Sequence, residues 1–549
     1  MANSINKLFE DSFKVNWDRP ALSDYNGATI TYADLARRIA HLHIFFEVCN
    51  IKKGDKIALC ARNMSNWAVA YLATMTYGAV VVPLLHEFKP SSIHHLVNHS
   101  DSRFMFVGDV IWENLQPSEM PGIEACITLN NFQPAYARTE EIAGVKAKVD
   151  EIFAQRYPNF GPDDIKYYED QPEELALISY TSGSTGFSKG VMLPFRSVYY
   201  NTVFGEYAEK HINNQSKIVS MLPSAHMYGM MYEVVYEMTR GAHVYFLTRL
   251  PSPKVILQAL GDIKPELIVT VPLILEKIYK SMLLPFISKS STKMFLSLPV
   301  IDQVVLNKIK KSLTDALGGN FSEVLVGGAA LNREVEAFLH RIGFRFTVGY
   351  GMTECGPIIS YSPWNVTKVY SCGRPAPDVK VRIDSADPEN VPGEILVQGR
   401  NVFMGYYKNP TATEAALQDG WLHTGDMGVM DKDGFLYIKG RSKTMILGPS
   451  GQNIYPEEIE SSINNLPYVS ESLVISDHGV LTALIYPDFD QLAADQISND
   501  RIQDVLKEKI QVTNMEMPDY CKITRVEIFP EEFEKTPKRS IKRYLYQRG

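Results

Sequence analysis

Between residues 30 and 85 the hydrophobic period of the chain switches back and forth, and that alternation limits the folds open to it. "TYADLARRIAHLHIFFEV" carries apolar residues at helical spacing behind Thr31, a hydroxyl residue suited to cap a helix N-terminus. "KIALC" then reads as a short strand, "NWAVAYLATMTYG" as a helix and "AVVVPL" as a second strand. Helices and strands in turn build parallel sheets flanked by helices, so an α/β fold is expected. The rhythm returns at 254–275 and at 324–350. With 549 residues the chain exceeds what one compact core supports, and two or more domains are expected.

From about residue 372 the texture changes to short strands separated by Pro, Gly and Asp turns, the pattern of a small β-barrel or distorted sheet. A boundary near Lys443 divides the chain into residues 1–443, α/β with a small β-barrel-like subdomain, and residues 444–549, a smaller α+β domain.

A net charge of −8 argues against a general nucleic-acid binder, whose affinity rests on a basic footprint. The six cysteines are scattered without a CxxC pair, which fits a reducing compartment and supports neither a zinc site nor a disulfide framework. The first twenty residues hold acidic side chains and no apolar core of a signal peptide. The apolar run at 71–85 carries Gly and Pro and falls short of a membrane span. A cytoplasmic protein is expected.

"YTSGSTGFSKGVM" (180–192) follows the strand-like "ELALISY". Gly183, Gly186 and Gly190 let a backbone fold tightly around an anion. Thr181, Ser182, Ser184 and Thr185 add hydroxyl donors, and Lys189 adds a positive charge. The stretch is a candidate polyphosphate cradle, although the Walker A pattern cannot be fitted to it.

This loop closely resembles the signature of the adenylate-forming superfamily, which includes acyl-CoA synthetases, luciferases and peptide-synthetase adenylation domains. Further matches follow in the family's order: "LPSAHMYG", "VGGAAL", "GYGMTECGP", "GWLHTGDMG", "GRSK" and "GQNIYPEEIE". The resemblance covers nearly the whole chain and implies the following roles. Tyr350 stacks on adenine, with Gly328, Ala329 and Ala330 along the same pocket and Gly351 and Met352 beside it. Thr353 touches the α-phosphate, and Glu354 ligates Mg²⁺, a hard cation that takes oxygen ligands. Asp426 accepts from the ribose hydroxyls, Arg441 contacts the nucleotide, and His226 stands where the acyl chain meets the reacting centre. Gly451 lies in a loop lining the thiol's tunnel. Thr181 and Lys189 would assist catalysis from the phosphate loop. The small C-terminal domain rotates between half-reactions about the position after "GRSK", here Thr444.

Stretches such as "VPLILEKIYKSM" and "IDQVVLNKIKKSLTDALGG" resemble long-chain acyl-CoA synthetases. The implied substrates are a long-chain fatty acid, ATP and coenzyme A, and the implied products are the acyl thioester, AMP and pyrophosphate. A long acyl chain calls for an apolar tunnel, since each buried CH₂ contributes about 0.8 kcal/mol. Two other readings stay open: a fatty acyl-AMP ligase loading a carrier protein, and a catalytically impaired homologue that binds acyl or nucleotide groups.

The impaired reading comes from the tail "EKTPKRSIKRY". Where long-chain members place a catalytic lysine this chain has Ser540, which carries no charge. If the stretch is extended, Lys538, Ser540 and Lys542 share a face, about 6.6 Å from one to the next. Lys542, or else Lys538, is therefore expected to supply the charge. The basic residues of the tail are open to three readings: contact with CoA phosphates, peripheral contact with an anionic membrane, or a solvated face.

Overall fold

The structure is a computed structural model that describes residues 4–181, 188–249, 252–287, 301–448, 452–515, 517–536 and 540–548. Most of the chain wraps two large sheets. An eight-stranded sheet runs, edge to edge, through Gly405–Tyr406, Lys189–Pro194, Leu175–Thr181, Val80–Leu84, Lys56–Cys60, Ser102–Val107, Ala125–Thr128 and Pro134–Ala137. The five strands from Leu175–Thr181 to Ala125–Thr128 pair in parallel, and the strands outside them, Lys189–Pro194 and Gly405–Tyr406 at one end and Pro134–Ala137 at the other, pair antiparallel. A seven-stranded sheet runs through Phe346–Val348, Glu323–Val326, Leu267–Thr270, Lys217–Ser220, His243–Phe246, Pro20–Asp24 and Thr29–Thr31. It too is parallel except for the last, antiparallel pair.

The local reasons match the sequence. Tyr32–Val48 is a helix whose Thr31 accepts from the Asp34 amide, while the Asp34 carboxylate accepts from the Thr31 amide; this reciprocal cap satisfies two end donors at once. The helix Ser65–Tyr77 is apolar on nearly every side, and all its residues but Asn66 and Tyr77 are buried. It lies between a strand of each large sheet, Lys56–Cys60 and Pro20–Asp24. Pro253–Ile263 and Arg333–Arg341 are the helices of the two later α/β stretches. The run Pro272–Leu283 ends in one π-helical turn, Tyr279–Leu283.

Beyond residue 372 an antiparallel five-stranded sheet forms around the long strand Trp421–Met430, which pairs with Gly393–Gln398, Leu417–Gln418 and Leu436–Arg441. The last hundred residues carry their own apolar core, with Ile459, Ile463, Leu506 and Ile510 against the strands Val469–Asp477 and Val480–Pro487. This smaller body touches the larger one through the helix Pro456–Ile463: Arg333 bridges Glu458 at 3.0 Å, and Asn332 donates to Asn465 and to the Ser461 carbonyl. None of the described helices is long and apolar enough to cross a membrane.

The tail departs from the extended run expected of it. Lys535 and Ile541 form an antiparallel bridge, the Thr536 amide donates to the Ser540 carbonyl at 2.8 Å, and the Lys542 amide donates to Glu534 at 2.8 Å. The described segments 534–536 and 540–542 therefore lie antiparallel to each other rather than along one extended run. The reversal lets the basic strand bond the acidic one before it, which an extended tail would not. Lys538 lies outside the described residues.

Candidate functional site

Parallel strands gather their following loops at the carboxyl ends, which is where α/β sheets hold ligands. Here Thr181 ends one such strand, and Lys189 opens the strand that returns beside it. The two are register partners, and the Thr181 hydroxyl lies 3.5 Å from the Lys189 carbonyl. The expected phosphate-binding residues Ser182, Gly183, Ser184, Thr185 and Gly186 fall outside the described residues, as does Gly451. In the other sheet, Lys217–Ser220 leads to His226, Glu323–Val326 to the exposed Gly328, Ala329 and Ala330, and Phe346–Val348 to Tyr350. His226 caps the short helix Met227–Met230, its Nδ1 accepting from the Tyr228 amide at 3.3 Å.

Tyr350 and Asp426, seventy-six residues apart, meet directly: the buried Tyr350 hydroxyl donates to Asp426 Oδ2 at 2.6 Å. Asp426 Oδ1 takes Arg441 Nε at 2.9 Å. Asp426 and Arg441 face each other as register partners of two antiparallel strands, so the sheet itself sets their pairing. Burial raises the Asp426 carboxyl, and Arg441 and Tyr350 pull it back toward the ionised form. Asp426 in turn raises the Arg441 guanidinium. Among the described residues each carboxylate oxygen has one bonded partner and keeps lone-pair capacity for another donor.

Glu354 lies in the 3₁₀ turn Thr353–Cys355 and is buried, as is Thr353. Gly351, just before Met352 and this turn, has to be glycine, because a Cβ there would drive into the Pro357 carbonyl. From beneath, the buried Asn201 holds the turn: its amide donates to the Cys355 carbonyl at 3.1 Å, and its oxygen accepts from the Ile358 amide at 3.0 Å. One Glu354 oxygen accepts from the Tyr406 hydroxyl at 2.9 Å. The Lys189 ammonium stands 4.6 Å over the same Tyr406 ring. Tyr406 thus joins the phosphate-loop lysine to the candidate metal carboxylate. Neither Tyr406 nor Asn201 stood out in the sequence. Tyr406 lies inside "RNVFMGYYKNP", and nothing in its spacing ties it to a residue fifty-two positions earlier.

Among the described residues no three His, Cys, Asp or Glu side chains cluster as a metal cage. Glu354 still fits magnesium, which is held by one or two carboxylates together with substrate phosphates and water rather than by an all-protein cage.

The tail's described cations are occupied. The Lys542 ammonium bonds Glu534 at 3.0 Å, and the Lys535 ammonium reaches Glu471 at 2.5 Å. Arg543 meets Glu460 and Glu457, and Arg548 meets Glu527 and Asp477. Ser540 is exposed. Thr444, after "GRSK", donates to Glu457 at 2.6 Å. The apolar space lined by Met221, Leu260, Ile274 and Leu275 amounts to about 10 Å³, room for one water and not for an acyl chain.

A family model described as AMP-binding enzyme matches residues 9–407, and a second, described as AMP-binding enzyme C-terminal domain, matches residues 443–548. The long-chain-fatty-acid–CoA ligase ACSBG1 of Rattus norvegicus is 27% identical over 503 residues, 84% of this chain. The chain spans 66% of that relative's length, just under two thirds. A long-chain-fatty-acid–CoA ligase of Escherichia coli is 26% identical over 495 residues, covering 85% of this chain and 82% of its own. Among solved structures, the ATP-bound MatB of Rhodopseudomonas palustris superposes with a TM-score of 0.76 at 20% identity, covering all of this chain and 98% of its own. The o-succinylbenzoate CoA synthetase of Bacillus subtilis, held with its acyl-adenylate, gives 0.75 at 21%, over 98% and 97% of the two chains. At those identities the likeness is one of fold.

Proposed function

The chain belongs to the AMP-binding enzyme family, and from that premise we propose that it joins a long-chain fatty acid to coenzyme A at the expense of ATP. In the first half-reaction a carboxylate oxygen bonds the α-phosphorus and the bond to the β-phosphate oxygen breaks, releasing pyrophosphate. In the second, the thiol sulfur bonds the acyl carbon and AMP departs. The observation that carries this reading is the convergence of two interlocked sets, Lys189–Tyr406–Glu354 and Tyr350–Asp426–Arg441, beside the strand ends. The substrate class is supported by the names of the relatives, long-chain-fatty-acid–CoA ligases over more than four fifths of this chain.

Carboxylate and triphosphate repel each other, so the residues around them must offset negative charge. Lys189 and Thr181 serve the phosphates, and Thr353 the α-phosphate. Asp426 and Arg441 hold the ribose, Tyr350 with Gly328 to Ala330 the adenine, and His226 the acyl end. Glu354, with Tyr406 fixing one of its oxygens, is the residue that would hold magnesium. Magnesium bound there would neutralise charge spread over the phosphates. We place the division between the two units at Lys443 and the pivot at Thr444; the Arg333–Glu458 bridge between the units would break as the smaller unit turns.

Lys542 is our choice for the charge absent at Ser540; to act it must leave Glu534. The exposed, uncharged Ser540 favours one competing reading, a homologue that binds ATP without turning it over. A pyrophosphate-release assay with ATP, magnesium and palmitate, with and without coenzyme A, separates the readings. Release with formation of palmitoyl-CoA and AMP is the expected result. Release without thioester points to carrier loading, and ATP binding without release points to the impaired form. Lys542→Ala is expected to cut release on the order of a hundredfold, and Ser540→Lys to restore it in that background. Full activity of Lys542→Ala removes Lys542 from the role.

A further inference from the structure

His99 ends the helix Pro90–His99, a segment that contributes nothing to the site described above. Its Nδ1 lies 2.7 Å from the hydroxyl of Tyr180, and the two rings meet edge to face. Tyr180 is buried and sits one residue before Thr181. Its register partner across the ladder is Gly190, one residue after Lys189. The ring lies over that glycine so closely that a Cβ there would stand 3.2 Å from Tyr180 Cε1 and 3.0 Å from Ile178 Cγ2. The pair Tyr180–Gly190 is thus the rung next to Thr181–Lys189.

The surroundings of His99 hold that rung from a second side. The Tyr407 ring packs edge-on against His99, its amide donates to the Gly190 carbonyl at 2.7 Å, and its hydroxyl donates to Asp101 at 2.7 Å. Lys408 bridges the same Asp101 at 2.7 Å. Burial, Lys408 and His95 all lower the His99 imidazole against the pull of Asp101, so it is neutral and able to accept a proton. Burial raises the Tyr180 phenol, which therefore keeps its proton to donate.

We infer that His99 is a positioning residue for nucleotide binding: by fixing the Tyr180 hydroxyl it sets the spacing of the two strands that carry Thr181 and Lys189. This deepens the proposed function and rests on it, because Thr181 and Lys189 are there read as phosphate contacts. His99 touches neither nucleotide nor acid; it acts through Tyr180.

The test is calorimetric titration of the full chain with ATP and magnesium, without acid or thiol, on His99→Ala, Tyr180→Phe, the double variant and His99→Asn, whose amide oxygen falls near the position of Nδ1. Each of the first two is expected to weaken ATP about fivefold, the scale of one hydrogen bond. The double variant is expected to match either single one, because both remove the same link. His99→Asn is expected to return to within about twofold of the parent. In steady state the KM for ATP should rise while the KM for the acid holds. Unchanged binding in His99→Ala, additive losses in the double variant, or no recovery with Asn each overturns the inference. Because the titration omits acid and thiol, a wrong acid class or absent thioester formation leaves the measured ATP affinities unchanged. A parent chain that binds no ATP overturns both.

Discussion

The proposed nucleotide side of the site and the C-terminal hairpin are both rich in charge, and they manage it in opposite ways. Around Tyr350, Glu354 and Asp426 the carboxylates are buried, and most of their partners are tyrosine hydroxyls, with Arg441 the one cation bonded to Asp426 among the described residues. In the hairpin Glu534–Lys542 and the strands behind it, lysines and arginines meet carboxylates at or near the surface. A buried carboxylate that loses its partner keeps its desolvation cost, whereas an exposed pair exchanges its partner for water. Substitutions should therefore cost much in the first region and little in the second.

The sharpest test of that contrast is Glu354→Gln, which keeps the shape and removes the charge. Pyrophosphate release should fall on the order of a hundredfold or more; a retained rate would take Glu354 out of the metal role. Tyr406→Phe removes the hydroxyl and leaves the ring under Lys189, so the rate should fall about tenfold. Tyr406→Leu also removes the ring, and its KM for ATP should rise further than that of the Phe variant. If the two behave alike, the stacking contributes nothing.

Glu237 tests the buried side through pH. It is fully buried, neither of its oxygens has a hydrogen-bond partner among the described residues, and burial pushes its carboxyl up to about 8. Between the ordinary value of 4.5 and about 8 the folded state holds a proton that the unfolded chain has lost. Stability should consequently fall as pH rises through that window, by at most about 1.4 kcal/mol per pH unit from this one group, and level off above it. Glu237→Gln should reduce the slope in melting curves between pH 5 and 8; an unchanged slope would mean that Glu237 is already ionised. The smallest effect belongs to the hairpin: Glu534→Gln should change stability by less than about 1 kcal/mol in denaturant titration. A larger loss would show that the pair carries the fold of the tail and erase the contrast.

The sequence disclosed what is local. Thr31, the strand "KIALC" and the helices at 254 and 333 follow from period and capping, which act over one or two turns. The motifs around residues 181, 350 and 426 pointed to most of the candidate site because each is contiguous. Tyr406 beneath Lys189, Asn201 under the Glu354 turn and His99 against Tyr180 are not legible there, because each contact is made by sheet order, which hydrophobic period does not encode. The tail folds back instead of running extended for a related reason. An acidic stretch followed by a basic one can pair with itself, and alternation of faces holds only while a strand runs straight.

One pairing in the seven-stranded sheet bears on how the polypeptide is made. The strand Pro20–Asp24 lies parallel to His243–Phe246, with Leu22 opposite Val244, while its other neighbour is the short Thr29–Thr31. At a synthesis rate of about 5–20 residues per second, roughly ten seconds or more separate the emergence of the two partners from the ribosome. During that interval the apolar Ala21 and Leu22, fully buried in the finished protein, have no sheet to enter. Until residue 246 emerges, that strand has only the short Thr29–Thr31 beside it, so the sheet closes on the N-terminal segment late.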